Sequence, residues 1–484
     1  MSLKYYEGTK KQIIMKLMNS WLYRPFKPYR EFNITLYPYI ARIVPDAGSI
    51  ECEWIDHGFD GDHTITVRKT GDEKIIRELS PAPHRFKITE LEDLTDYEVT
   101  LSRNNSSESI KRLVRTGKMP GDIPVAYLHP NDNAFDFSGT FVAGPSIVKC
   151  KSGRLLASHD IFSRREEYAC LSQLYKSDDG GKTWSWLGDL FPCYWGRLFL
   201  HNGKVYMFSG TNGQGCVVIG RSDDEGETWT APVTLLFACY KGGYHSAPGS
   251  IVVSHGRIWI PIASGRWDET GFGMSYISAP ADSDLLDPSN WEMADFISYD
   301  PKWPGSPVNA GPGYDSPGAG IEGNIVCGPD GSVHALYRMD ISKSTPNTGK
   351  VIVLDIDPSN PEKPYQFNSI SDCALGSNSK FCVKFDEISG LYIMIGTEQS
   401  LEESWGRTII SLAVSKDLHN WRVTKRLYDY HHMEPGKAGL QYPDWDFDCD
   451  DIVMLLRIGF NQADTFHNSN CIAFSRIGNF RSMI

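Results

Sequence analysis

The chain has 484 residues, 41% of them hydrophobic and 12% aromatic, which is too long for one ordinary domain and ample for packed cores. Its formal net charge of −12 excludes nonspecific binding to nucleic acid or an anionic membrane, because both need a basic surface, so an anionic ligand has to be met by local arginines. The 11 cysteines lack the tight spacing of a disulfide framework or a zinc site and read as reduced, buried thiols of a cytoplasmic protein.

From Thr9 to Tyr23 the composition is helical, with Ile13, Leu17 and Trp21 at four-residue spacing, and residues 1–32 are expected to form a helical leader. Lys10, Lys11 and Lys16 interrupt its apolar run and no small-residue cleavage site follows, so it makes a poor signal peptide. No stretch reaches the roughly 18 apolar residues of a membrane span. Residues 33–117 then turn to short alternating strands, among them Ser49 to Trp54, Thr64 to Val67 and Leu94-Thr95-Asp96-Tyr97-Glu98-Val99-Thr100. An early-strand tryptophan with a late Leu-x-x-Tyr corner resembles a fibronectin type III module, which implies a β-sandwich whose tyrosine hydroxyl ties down the loop before its strand. Gly117-Lys118-Met119-Pro120-Gly121 reads as a linker, and a second domain is expected over residues 121–484.

In that second domain Ser177-Asp178-Asp179-Gly180-Gly181-Lys182-Thr183-Trp184 returns about 45 residues later as Ser222-Asp223-Asp224-Glu225-Gly226-Glu227-Thr228-Trp229. Ser415 to Trp421 is a shorter copy and Ser283 to Trp291 a stretched one. Serine and aspartate bond local amides, glycine allows positive φ and tryptophan packs between sheets, so the repeat has a structural task. Tight turns at Lys151-Ser152-Gly153, Asn202-Gly203, His255-Gly256, Asp330-Gly331, Ser389-Gly390 and Asp448 to Asp451 divide the region into six segments, and Pro124 to Leu128 is expected to complete the last. The repeats are Asp boxes, and on them the chain resembles the sialidase superfamily, which implies an all-β fold: a six-bladed β-propeller behind the sandwich. Asp boxes also occur in binding proteins without activity, so they do not by themselves establish hydrolysis.

Ligands of a propeller sit where the inner strands converge. Glu322 opens an inner strand and Arg338 closes the next, Arg407 precedes the strand leading into Ser415, and Gln441-Tyr442-Pro443-Asp444-Trp445 opens the last segment. The same order is found in sialidases, and the resemblance implies Tyr442 as nucleophile, Glu322 as its base, and Arg338 with Arg407 as a clamp on a substrate carboxylate. A carboxylate beside a phenol can take its proton, and an uncharged nucleophile avoids repulsion by an anionic sugar. Sialidases begin their first blade with Phe/Tyr-Arg-Ile-Pro, whereas this chain reads Phe141-Val142-Ala143-Gly144-Pro145-Ser146. Loss of that arginine costs about 2 kcal/mol of anion recognition. Asp160 is the favoured general acid, with Glu166 and Glu167 as alternatives. His159, His245, Arg266, Arg457 and His467 are further residues of the mouth, and Trp195, Trp267, Trp405 and Trp445 are candidates for stacking on sugar rings. Asp446, Asp448, Asp450 and Asp451 read as a solvated turn, without the spacing of a calcium loop.

The expected function is a sialidase-like exo-glycoside hydrolase releasing a terminal, acidic sugar from oligosaccharides or glycoconjugates, without metal or cofactor. The alternatives are a propeller glycosidase or lyase for uronate-containing glycans that works through histidine and tyrosine, and a carbohydrate-binding protein without catalysis.

Overall fold

The computed structural model describes residues 38–484 except 57–58, 60, 108, 136–137, 164–169, 239–242, 246, 266–270, 308–318, 341–348, 377–378, 399–405 and 434–436. The helical leader expected over residues 1–32 lies outside the described residues. Those described are strands and loops with two short 3-10 turns, Pro288–Asn290 and Phe480–Met483; among them no helix is long and apolar enough to cross a membrane. The described cysteines are free thiols, most of them buried.

The N-terminal region forms two antiparallel sheets. One orders Tyr39–Asp46, Ser49–Ile55 and Arg85–Ile88; the other orders Ile75–Leu79, His63–Lys69, Asp96–Arg103 and Ser109–Arg115. Alternate residues of His63–Lys69 and Asp96–Arg103 point inward, as the two-residue period of a half-buried strand requires, and bring Ile65, Val67, Tyr97, Val99 and Leu101 onto Trp54. Tyr97 Oη accepts the Glu92 amide at 2.9 Å and so ties back the preceding loop.

The rest of the described chain forms six antiparallel sheets, each with four strands in simple succession apart from a short extra segment, Ile297–Ser298, on the third. Sheet one holds Phe141–Lys149, Leu155–Phe162, Leu171–Ser177 and Ser185–Leu190; sheet two, Tyr194–His201, Lys204–Gly210, Val217–Ser222 and Val233–Leu236. Sheet three begins at Val252–Ser254, sheet four at Ala319–Cys327, sheet five at Cys382–Asp386 and sheet six at Gly439–Asp448. The sixth sheet takes its fourth strand, Ile123–Tyr127, from the beginning of the region, where it pairs with Cys471–Ile477. Each of the six turn sequences joins the first and second strands of a sheet.

Six apolar clusters join the sheets in order: one to two, two to three, three to four, four to five, five to six, and six back to one. The repeated octapeptides lie between third and fourth strands and fold alike. Ser177 Oγ accepts the Gly181 amide at 2.9 Å, Asp179 accepts the amide and hydroxyl of Thr183, and Trp184 Nε1 bonds the Gly181 carbonyl. Ser222, Asp224, Thr228 and Trp229 repeat every one of those bonds. The carboxylates of the last hairpin are ion-paired rather than simply solvated, Asp446 to Lys384, Asp448 to Lys149 and Arg476, and Asp450 to Arg481.

The N-terminal sheets are docked on sheets one, five and six. Tyr39 Oη donates to Asp189 at 2.8 Å, Arg42 Nε donates to the Val125 carbonyl at 2.9 Å, and Arg115 Nε donates to Asn461 at 2.9 Å. Their apolar core is continuous with Ile393, Leu412, Met454 and Leu456.

Candidate active site

The first strands of sheets two, four and six carry the same irregularity. Two residues on the first strand oppose one on its partner between Tyr194 and Arg197, between Ile321 and Asn324, and between Gln441 and Asp444. These are β-bulges, which re-aim a side chain out of the sheet's alternation. At each bulge a non-glycine residue takes left-handed backbone: Trp195 at φ 54°, Glu322 at 59° and Tyr442 at 55°. Such conformations cost on the order of 1 kcal/mol or more and persist only where the surroundings enforce them. The three side chains meet. Tyr442 Oη donates to Glu322 Oε1 at 2.5 Å, and the Trp195 ring stacks on the Tyr442 ring with centroids 5.6 Å apart and planes 17° from parallel.

Two residues beyond each bulge a polar side chain knits neighbouring sheets together below this group. Asp444 bonds Arg197 and accepts the Ile147 amide at 2.8 Å, while Asn324 accepts the Ser250 amide at 2.9 Å. The bulges are thus locked by sheet-to-sheet bonds.

Arg338 lies opposite Ile321 in the register and reaches Glu322 Oε2 with Nη1 at 2.9 Å and Asp340 with Nη2 at 2.9 Å. Arg407 donates to Gln441 Oε1, and Arg457 donates to the His467 carbonyl while its guanidinium lies 5.0 Å from the Tyr442 ring centroid. Burial alone would raise the Glu322 carboxyl, yet the Arg338 guanidinium and the Tyr442 hydroxyl hold it below the usual range. Burial, then the Glu322 charge, push the Tyr442 phenol above its usual value against the pull of Arg338, Arg407 and Arg457. The Arg407 guanidinium is lowered to about 10 by burial and then by the repulsion of Arg338. His467 is lowered to about 3 by burial, Arg457, Arg407 and Arg338. Arg338 faces two carboxylates, whereas Arg407 donates to the neutral side chain of Gln441 and is repelled by Arg338.

Asp160 ends the second strand of sheet one, opposite Ala143, and points toward sheet two. Ser172 Oγ donates to Oδ1 at 2.5 Å and the Trp195 amide to Oδ2 at 3.0 Å. Gly144, at φ 43°, makes room for it: a Cβ there would stand 2.1 Å from Asp160 Oδ2. Burial raises the Asp160 carboxyl to about 7 despite the hydrogen bonds from Ser172, Gly196 and Trp195. Its amide partner Trp195 is the residue that stacks on Tyr442, so acid and phenol flank one indole.

His245 also belongs to the group, 5.4 Å from the Trp195 ring and 5.7 Å from Phe272, and burial lowers it to about 4. Its Nδ1 and the Trp195 Nε1 are buried with no hydrogen-bond partner among the described residues.

The sequence-derived set therefore divides. Tyr442, Glu322, Arg338, Arg407, Arg457, His245 and Trp195 come together, with Asp160 beside them. His159 does not join: neighbouring strand residues face opposite ways, so with Asp160 turned to sheet two, His159 stacks on Tyr175 at 5.7 Å in the core and is lowered to about 4 by burial. Trp445 is not a stacking platform but a fully buried core residue whose Nε1 bonds the Cys382 carbonyl. Arg266, Trp267, Trp405, Glu166 and Glu167 lie outside the described residues. Asp340 and Gln441 are site residues that the sequence reading passed over; Asp340 stands two residues from Arg338, the spacing at which strand side chains share a face. A surface hollow of about 680 Å³ lined by Arg154, Asp178, Asp224 and Glu227 lies at the opposite end of sheet one from Asp160, among the outer turns. Among the described residues no cluster of His, Cys, Asp and Glu could hold a metal ion.

No family model and no curated protein matches the chain. Among solved structures, a Hadza microbial sialidase aligns with a TM-score of 0.51 and 13% identity over 95% of this chain and 99% of that one. A Penicillium chrysogenum alpha-L-arabinanase aligns with a TM-score of 0.48 and 13% identity over 76% of this chain and 100% of that one. A Trypanosoma rangeli sialidase aligns with a TM-score of 0.47 and 13% identity over 75% of this chain and 59% of that one. The fold of this all-β chain is similar to that of the first; identities this low speak for the fold alone.

Proposed function

We propose that the chain is an exo-glycoside hydrolase that releases a terminal, acidic sugar from oligosaccharides or glycoconjugates. In this reading residues 121–484 are a six-bladed propeller of the sialidase type, preceded by a fibronectin type III-like sandwich over 33–117 and a leader over 1–32. The observation that carries it is the 2.5 Å hydrogen bond from Tyr442 Oη to Glu322 Oε1. Glu322, kept ionised by Arg338, takes the phenol proton as Tyr442 Oη bonds to the anomeric carbon, and Asp160 gives a proton to the departing glycosidic oxygen. A carboxyl near 7 keeps its proton in part of the molecules at neutral pH and fully below it, which suits it to that donation. Water then replaces the tyrosine with Asp160 now acting as base, which restores every proton and leaves the free sugar.

The acidic sugar is inferred from charge. Arg407 donates to the neutral side chain of Gln441 and is lowered by burial and the repulsion of Arg338, so a carboxylate of the substrate beside it would relieve that repulsion. The test is a panel of aryl glycosides and defined oligosaccharides, covering sialosides, uronides, rhamnosides and neutral sugars, assayed with the wild-type chain and Tyr442→Phe. Release of an acidic sugar that Tyr442→Phe abolishes with the fold intact supports the reading, and turnover surviving in that variant refutes the nucleophile.

One observation favours a second reading. His245 is buried, lowered to about 4 and therefore an unprotonated imidazole beside Glu322 at neutral pH, able to accept a proton next to a uronate carboxylate. An unsaturated product absorbing in the ultraviolet would single out that elimination.

A further inference from the structure

Sheets four and six present Glu322 and Tyr442 from equivalent bulges, and sheet five lies between them. The residue that precedes its first strand by two positions, as Glu322 precedes Asn324 and Tyr442 precedes Asp444, is Lys380. Its side chain is buried, 1% exposed, and Nζ donates to the Pro443 carbonyl at 2.8 Å. Pro443 follows Tyr442 in the bulge, where the ladder register is broken, and its carbonyl takes this side-chain donor from the neighbouring sheet.

A neutral donor would serve that bond. A lysine also brings a charge into a site where burying an unpaired ammonium costs several kcal/mol, on the order of what a buried ion loses in real proteins. We propose that Lys380 is a positioning residue of the Tyr442–Glu322 pair: it ties the peptide that aims Tyr442 and sets a positive charge beside Glu322 that keeps this carboxylate ready to accept the phenol proton. The charges facing the ammonium are Asp444 and Glu322, with Arg197 repelling it and the Cys382 thiol close by, and burial lowers its own titration. Those facing Glu322 are Arg338 from the next strand of its own sheet, Tyr442 from sheet six, and His245. Lys380 thus stands in the field of both Asp444, which Arg197 bonds, and Glu322, while its ammonium holds the Pro443 carbonyl.

The inference rests on the reading of Tyr442 and Glu322 as the reacting pair, and a substrate-free measurement tests it separately. Protein labelled with carbon-13 at tyrosine Cζ is titrated downward in pH, the Tyr442 resonance being identified by its loss in Tyr442→Phe. Its shift follows protonation of Glu322 through their hydrogen bond. Lys380→Gln, which keeps a donor for the Pro443 carbonyl without charge, is expected to move that acid transition upward by about one pH unit, while Lys380→Arg leaves it near the wild-type position. On the best substrate of the glycoside panel, Lys380→Gln is expected to lower kcat at least tenfold with little change in KM. An unmoved transition in Lys380→Gln together with wild-type kcat overturns the proposal. Turnover that survives Tyr442→Phe overturns instead the assignment of the nucleophile, and the two failures are thereby told apart.

Discussion

Replacing Asp160 by asparagine separates what the acid does for chemistry from what it costs the fold. The carboxyl is 1% exposed and is raised by burial from 3.8 to about 7. A shift of about three pH units corresponds to about 4 kcal/mol between its two protonation states. The sign follows from proton binding: the folded chain holds this proton more tightly than the unfolded one, so the group's contribution is fully present below about pH 4 and is lost as pH rises to about 7. Between pH 5 and pH 8 the wild type should lose about 3 kcal/mol through this group alone, and the asparagine variant nothing. The variant's imperfect bond to the Gly196 amide adds a penalty that does not vary with pH. His159, His245 and His467, lowered by burial, act in the opposite sense in both proteins and cancel in the comparison. Urea unfolding of both proteins at pH 5 and pH 8 therefore measures the effect as a difference of differences, with Asp160→Asn gaining about 3 kcal/mol on the wild type at the higher pH. The same variant should lose 10² to 10⁴ in kcat, roughly the worth of a general acid, on a substrate with a poor leaving group, lose far less on a nitrophenyl glycoside, and lose the alkaline limb that the wild type shows near pH 7. A stability gap equal at both pH values would refute the raised carboxyl, and unchanged turnover would refute the acid.

Four further outcomes are expected. Tyr442→Phe removes the proposed nucleophile, and turnover on the glycoside panel should fall by about a thousandfold or more while circular dichroism stays native. Glu322→Gln should lower kcat by about a hundredfold or more and destabilise the chain by about 1–3 kcal/mol, since buried Arg338 loses a carboxylate partner. Asp179→Ala and Asp224→Ala each remove two bonds to a threonine in equivalent turns and should cost about 1–2 kcal/mol apiece without touching kcat, whereas the neighbouring Asp178→Ala, which loses an exposed ion pair to Arg154, should cost under about 1 kcal/mol. Tyr39→Phe removes a buried bond from the N-terminal sheets to Asp189 and should lower stability in urea by about 1–2 kcal/mol, with activity on the panel unchanged.

Much of the architecture was legible because it is written in local chemistry. The turns at Asn202-Gly203 and Asp330-Gly331 must reverse the chain, and each joins the first two strands of a sheet. The repeated serine, aspartate and tryptophan satisfy their own turn, so their spacing marks successive sheets without any distant partner. The docking of the N-terminal sheets was not legible. Gly117 to Gly121 has the composition of a free linker, yet the Gly117 amide bonds the Asp46 carbonyl at 3.1 Å and Asn461 bonds the Thr116 carbonyl at 3.0 Å, a pairing of residues far apart in sequence that no local pattern announces.

The site was legible only as far as strand ends could be counted, and the bulges explain where that counting failed. Strict alternation places residues by parity, and parity is broken wherever two residues oppose one. Trp195, Glu322 and Tyr442 stand at those breaks, followed by Gly196, Gly323 and Pro443, residues that lack a Cβ or an N–H and so let a strand depart from its ladder. The pattern of a bulky residue, then glycine or proline, then a polar residue and an apolar one appears as Trp195-Gly196-Arg197-Leu198, Glu322-Gly323-Asn324-Ile325 and Tyr442-Pro443-Asp444-Trp445. Gly144-Pro145-Ser146-Ile147 in sheet one has the same form with glycine in the leading place, and that vacancy is filled by the Asp160 carboxylate coming from the next strand. His159 and Trp445 follow ordinary alternation and are therefore turned into the core. Glu322, Tyr442 and Trp195 meet because their backbone leaves the regular strand, and a departure from the pleat turns the side chains of core strands toward one another.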